Sequence, residues 1–289
     1  MAIRPQIMMT GATDGIGQLA AINLAKRGAD LILTARNRDK AAATKAMIAA
    51  AAPQAKVHFH YLDLSDLTMV ATAGRAIGQE HPRIDVLVHN AGLHGFKQRV
   101  TPDGFAEMIA VNYLAPWILT YILRETLVRS APARIITVGS EASRQSGGLD
   151  LNSHLQNVSP FTATGSSKIY GRSKLLDIMF SLELARQLEG TGVVVNCLCP
   201  GFNVTGLGRE LWFAKPLAKA LNWLNIGRPE RGAQGIERLA MDRAFADLTG
   251  LYVSGPALKT TLPVAPADDD DTRRRLWQQT EVLLAGWLK

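Results

Sequence analysis

Two cysteines are all that the 289 residues contain. They stand at Cys197 and Cys199 in an apolar run from Val193 to Pro200, and alternate residues of one strand cannot form an unstrained disulfide framework. Two thiols alone do not make a zinc site either, so no metal is expected. The pattern reads as buried, reduced thiols in a cytoplasmic protein. Long apolar runs are also missing. Nothing approaches the roughly 20 uninterrupted apolar residues of a membrane span, and Met1 to Pro5 lacks the apolar stretch of a signal peptide. The charge balance is basic, 32 Lys and Arg against 25 Asp and Glu, a net +7. These cations are scattered, without the aromatic interleaving of a nucleic-acid groove. That sets nucleic acid aside as a partner and favours a small molecule carrying a few phosphates.

Apolar residues make up 47% of the chain and charged residues 20%, enough for a substantial core. Short β-branched runs alternate with alanine- and leucine-rich helical ones. Strands are expected at Ile7–Met9, Leu31–Thr34, Val57–Tyr61, Ile84–His89, Arg134–Val138, Val193–Leu198 and Leu251–Val253. Helical patterns separate nearly all of them, for example Gly15–Arg27 and Lys40–Ala52. The alternation predicts an α/β fold, a doubly wound parallel sheet of about seven strands with helices on both faces. No repeat or low-complexity linker interrupts residues 1–289, so a single domain is expected.

Tyr170 and Lys174 are four residues apart at the head of a helical pattern that continues through Leu175, Ile178, Met179 and Leu182. Residues four apart share a helix face, placing an ammonium beside a phenol. A free tyrosine has a pKa of about 10, and a neighbouring cation favours its phenolate, so the pair reads as a proton-transfer device. Far upstream, Thr10-Gly11-Ala12-Thr13-Asp14-Gly15-Ile16-Gly17 joins the first strand to the first helix. Glycines there let a pyrophosphate approach the backbone at a helix N-terminus, where free amides favour an anion. At the end of the second strand, Ala35-Arg36-Asn37-Arg38 offers guanidinium where a carboxylate would accept a ribose hydroxyl. Guanidinium instead clamps a 2′-phosphate, so NADP(H) is expected, with Arg36 the principal contact and Arg38 a second. Asp39 would take the NAD role if the strand ended later.

The spacing Gly-x-x-x-Gly-x-Gly, with Asn90-Ala91-Gly92, Ser140 and Tyr170 to Lys174 in that order, resembles the short-chain dehydrogenase/reductase family from about Pro5 to Tyr252. The long gap between Ser140 and Tyr170, and the ending from Gly232 to Tyr252, look most like its retinol-dehydrogenase-like branch. The resemblance implies a catalytic set of Asn112, Ser140, Tyr170 and Lys174. Ser140 would position the substrate oxygen, with Ser143 nearby as an alternative. Lys174 would lower the pKa of Tyr170 and grip the nicotinamide ribose, and Asn112 would free a helix carbonyl for a water relay. The cofactor would lie along Gly11, Thr13, Asp14, Gly15, Ile16 and Gly17, then Asp63 and Leu64, then Asn90, Ala91 and Gly92. Asp63 would receive the adenine amino group or, as a second physical role, cap a helix. Pro200, Gly201, Asn203 and Thr205 would hold the carboxamide. His89 and His94 are read as outside the chemistry.

Leu207 to Ile226 occupies the position of the family's substrate flap, and its apolar side chains imply a bulky, oily alcohol or carbonyl compound; such a stripe also suits ordinary core. The flap is bounded at about 206–228. Gly147 to Ser167 is polar and expected as a loop. Asp268 to Asp271 reads as acids at the start of an amphipathic helix over about 271–287, not as a metal site. The implied activity is NADP(H)-dependent transfer of hydride between nicotinamide and a carbonyl carbon. A carbon–carbon double-bond reductase and a non-catalytic NADP-sensing protein are the rival readings. In the family the Tyr170 helix commonly forms a homodimer contact, a surface that the tail would compete for.

Overall fold

The computed structural model describes residues 4–201 and 229–289. Its strands are β1 (Gln6–Met9), β2 (Asp30–Ala35), β3 (Val57–Tyr61), β4 (Val86–His89), β5 (Ala133–Val138), β6 (Val193–Cys199), β7 (Leu251–Ser254) and β8 (Lys259–Thr260). They form one sheet in the order β3-β2-β1-β4-β5-β6-β7-β8. All seven expected strands form, and they pair in parallel. The eighth, β8, is antiparallel to β7 and only two residues long, too short to leave a periodic signal.

The helices are α1 (Gly15–Lys26), α2 (Arg38–Ala51), α3 (Leu67–Glu80), the single turn α4 (Glu107–Ile109), α5 (Ala115–Arg129), α6 (Ala163–Gln187), α7 (Pro229–Met241) and α8 (Asp270–Leu284). Strand residues alternate between two cores, which is why the strands read as continuous apolar runs. Met8, Ile32, Leu87 and Ile135 pack on one face with α3, α5 and α6. Ile7, Met9, Leu31, Leu33, Val86, Val88 and Ile136 pack on the other with α1 and α7. Cys197 and Cys199 are free and buried.

Three boundaries differ from the sequence reading. Helix α2 starts two residues early because the Asn37 side chain accepts a hydrogen bond from the Lys40 amide at 2.8 Å and caps it. The polar stretch after Gly147 ends at Thr162, whose hydroxyl accepts from the Gly165 amide and starts α6. The apolar run Phe105–Leu114 is not one α-helix: after α4 it widens into a π-helical turn, Ala110–Leu114, before α5 begins.

The acidic tail behaves as a helix start. Asp269 accepts from the Thr272 amide at 2.8 Å, and Asp270 and Asp271 pair with Arg273 and Arg274. Helix α8 then lies across α6: Trp277 stacks on Phe180 with ring centroids 6.0 Å apart, and Thr280 bonds the Tyr113 hydroxyl at 2.7 Å. No described helix is long and apolar enough to cross a membrane.

His89, at the end of β4, is fully enclosed, with Nε2 2.7 Å from Thr120 Oγ1. Burial pushes its imidazole down from 6.5 to about 3. The unfolded chain therefore binds more protons below pH 6.5, and folded stability falls as pH drops through that window, by up to about 1.4 kcal/mol per pH unit. Asp177, raised from 3.8 to about 6, acts with the opposite sign between those two values. Urea unfolding of wild type and His89→Gln at several pH values isolates the histidine, because Asp177 is common to both. The variant is expected to lose less stability on acidification; parallel pH dependences would show that His89 is not held neutral.

Candidate active site

The sheet reverses its winding between β1 and β4, and a crevice opens there at the carboxyl ends of the strands, where open α/β sheets bind ligands. It is a cleft of ≈ 1010 Å³. Gly11, Thr13, Asp14, Gly15, Ile16 and Gly17 line one end, with Arg36, Asp63 and Leu64 beside them. Asn90, Ala91 and Gly92 form the middle, and Ser140, Tyr170, Lys174, Pro200 and Gly201 close the other end. Asn203, Thr205 and the flap at 206–228 lie outside the described residues.

The glycine turn is built for close approach. A Cβ at Gly17 would stand 2.2 Å from the Gly11 carbonyl oxygen and 2.4 Å from Asn90 Nδ2. Asn90 Nδ2 donates to the carbonyls of Thr10 and Gly11, at 3.2 and 3.0 Å. Thr10 Oγ1 accepts from the amides of Asn90 and Ala91. The ends of β1 and β4 are thus laced together beneath the N-terminus of α1. Backbone open to a pyrophosphate there, with cations at the end of β2, fits a dinucleotide phosphate.

At that end Arg36 is 70% exposed and stands 3.9 Å from Asp63 Oδ2. Arg38, expected as a second phosphate contact, does not line the cleft; its guanidinium sits over the Tyr61 ring, 4.2 Å from the centroid. Lys40 lines the cleft instead, pairing with Asp14 at 2.9 Å. Because α2 begins at Arg38, Lys40 comes round to the cleft side one turn after Arg36, and Asp39 is a first-turn helix residue that does not line it. Asp63 is not the helix cap: Asp66 accepts from the Met69 amide, while Asp63 accepts from the Ser65 amide and hydroxyl.

Three segments bring the reactive end together. Ser140 follows β5 and opens a 3-10 turn, Glu141–Gln145, by accepting from the Ala142 amide at 3.1 Å. Helix α6 presses against that turn so closely that a Cβ at Gly171 would stand 2.5 Å from the Ala142 carbonyl oxygen. This contact sets Tyr170 in the lining of the same cleft as Ser140. Ser143, the alternative serine, is buried in the turn and does not line the cleft. Asn112 sits in the π-helical turn, accepts from the Leu93 amide at 2.8 Å, and donates to the Leu93 carbonyl and to Ser173 Oγ, at 3.0 and 2.8 Å. It therefore ties the loop after β4 to the helix carrying Tyr170 and Lys174.

Lys174 Nζ donates to the Val138 carbonyl at 2.8 Å and to Asp177 Oδ2 at 2.9 Å, with the two side chains 5% and 1% exposed. Asp177 was missed in the sequence, although its spacing of three from Lys174 on a helix face was a usable signal. Burial opposes charge on both partners. Pairing with Asp177 and the nearby phenol keeps the ammonium charged, whereas burial wins at the carboxyl and raises it to about 6.

The same pair alters the tyrosine. Burial raises the Tyr170 pKa, Lys174 and Ser140 lower it, and the Asp177 charge raises it again. Lys174 acts in the expected, lowering direction, but burial outweighs it and the net shift is upward. Much of the ammonium's field is answered by the carboxylate that holds it. His94, read as outside the chemistry, stacks face to face on Tyr170, with centroids 4.6 Å apart and 11° between planes, and on Phe96 beyond it. His89 is a core residue.

Comparison with known proteins shows the family and the fold. Residues 5–150 match the family described as short chain dehydrogenase. Human retinol dehydrogenase 13 is 34% identical over 283 residues, covering 96% of this chain and 84% of the relative. Human retinol dehydrogenase 14 is 33% identical over 299 residues, covering 98% and 87%. Among solved structures, a putative uncharacterized protein from Mycobacterium paratuberculosis superposes with a TM-score of 0.70 at 26% identity, covering 97% of this chain and 93% of that one. A Pseudomonas aeruginosa RhlG/NADP active-site complex gives 0.68 at 26% identity, covering 88% and 95%. The chain belongs to the short-chain dehydrogenase family, oxidoreductases acting on CH–OH or C=O groups. Within that family it falls in the retinol-dehydrogenase-like branch.

Proposed function

We propose that this chain is an NADP(H)-dependent oxidoreductase that interconverts a bulky apolar alcohol and its carbonyl compound. The observation that carries the reading is the meeting of a serine hydroxyl, a phenol and a buried ammonium at the wall of one large cleft. A bound nicotinamide would supply or receive the hydride, and the chain's own groups handle the proton. In the reducing direction Tyr170 Oη gives its proton to the carbonyl oxygen; in the oxidising direction it takes one from the alcohol. Ser140 Oγ holds that oxygen in place and stabilises its partial charge. Lys174 offsets part of the cost of leaving a phenolate in a buried site. Asn112 keeps the helix with both residues registered on the floor of the cleft.

The glycine turn would hold the pyrophosphate, with Arg36 and Lys40 on the 2′-phosphate. Asp63 would take the adenine, and Pro200, Gly201, Asn203 and Thr205 the carboxamide. The NADP named in the P. aeruginosa complex supports this choice of cofactor, and retinol in the names of two relatives supports an apolar substrate. The test is catalytic efficiency with NADPH and with NADH. NADPH is expected to be preferred, and Arg36→Ala to lose about ten- to a hundredfold in kcat/KM with NADPH alone, the size of one charge-assisted hydrogen bond. A wild-type preference for NADH would refute the assignment.

A further inference from the structure

Three of the chain's six histidines gather far from the catalytic residues, on the outermost strand of the sheet and the helix that follows it. His58 and His60 are two apart on β3 and share a face. Helix α3 ends at Glu80, and His81 is its C-cap, its amide donating to the Ile77 carbonyl at 2.8 Å. His60 Nε2 and His81 Nε2 stand 3.0 Å apart, and Glu80 Oε2 is 3.9 Å from His60 Nε2. Ligand atoms of His60, Glu80 and His81 all lie within 4.8 Å of one another. The His58 ring meets His81 edge-on with centroids 5.4 Å apart.

We propose that His60, His81 and Glu80 form a binding site for a borderline divalent cation of the zinc class, joining the outer strand β3 to the end of α3. Ligands about 2.0–2.1 Å from a tetrahedral ion stand roughly 3.3 Å from one another, so the two nitrogens need to part only slightly. The carboxylate is 62% exposed and free to close the remaining gap. Burial lowers both imidazoles below their ordinary value, which favours the neutral form that ligates a metal. Two imidazoles and one carboxylate suit Zn²⁺, Co²⁺ or Ni²⁺ and are a poor set for Mg²⁺ or Ca²⁺, which take oxygen ligands. A fourth position is left for water, with His58 the nearest further imidazole. The alternative is a plain N–H···N hydrogen bond between two neutral rings. The site would be structural: β3 runs directly into Leu62, Asp63 and Leu64, so an ion here would brace the wall of the cleft without touching substrate.

The test is calorimetric titration of the untagged chain with zinc chloride, alongside His60→Gln, His81→Gln and, as a control away from the cluster, His154→Gln. One equivalent bound at micromolar concentration is expected, weakened at least tenfold in the first two variants and unchanged in the third. Equal binding by all four chains, or no saturable binding by wild type, would overturn the proposal. Because either variant could fold poorly, the cobalt(II) absorption spectrum of the wild-type chain gives an independent reading. Intense bands of a tetrahedral ion support the site; weak octahedral bands or none would contradict it. Neither readout depends on catalytic activity.

Discussion

Replacing Tyr170 with phenylalanine is expected to leave NADPH binding intact and to lower turnover by about a hundredfold to ten-thousandfold, the usual contribution of a positioned general acid. The substitution removes one oxygen and preserves the ring that stacks on His94. Packing around the 8%-exposed side chain should therefore survive. What disappears is the phenolic hydroxyl of Tyr170 in the cleft that Ser140 also lines, and with it the proton. NADPH quenching titrations and steady-state rates measure the two effects separately. Undiminished turnover would remove Tyr170 from the chemistry; lost cofactor binding would make its role one of assembly.

Asp177→Leu is expected to cost about 3–5 kcal/mol of folding stability, because it strands a buried ammonium without its counter-charge. Asp177→Asn separates charge from shape, since an amide oxygen can still accept from Lys174 Nζ. There the Tyr170 pKa should fall, because the carboxylate charge that raises it is gone. The phenol-dependent limb of the pH profile in kcat/KM should move to lower pH. In wild type the same change happens as pH falls through about 6 and Asp177 takes up a proton. The other groups coupled to Asp177 are Lys174, Tyr170, Tyr113 and Cys197; burial raises Tyr113 and Cys197, so neither ionises near that pH. An inflection near pH 6 present in wild type and missing in Asp177→Asn is the expected signature. Superimposable profiles would leave Asp177 a structural residue only.

Much of the fold was readable in the chain because strands buried on both faces announce themselves as apolar runs, as Ile7–Met9 and Val193–Leu198 do. A two-residue strand such as Lys259–Thr260 carries no such pattern. The residues that line the candidate site were readable where the signal is local: Tyr170 and Lys174 on one helical turn, and Gly11 to Gly17 between a strand and a helix. That signal failed where a side chain's direction depends on a boundary. Reading α2 from Lys40 instead of Arg38 left Lys40 out of the phosphate end and put Arg38 into it, because two residues turn a helix by more than half a revolution. The upward shift of Tyr170 could not be read from spacing at all. It depends on how deeply the phenol is buried and on Asp177, and both follow from the packing of α6 on β5 and on the Ser140 turn.

The measurement closest to the centre of the account follows NADPH absorbance while the wild-type chain meets a panel of bulky apolar aldehydes and ketones, with the products identified. The account predicts NADPH oxidation coupled to formation of the alcohol. Tight NADPH binding without oxidation across the panel, or reduction of a carbon–carbon double bond with the carbonyl intact, would contradict it.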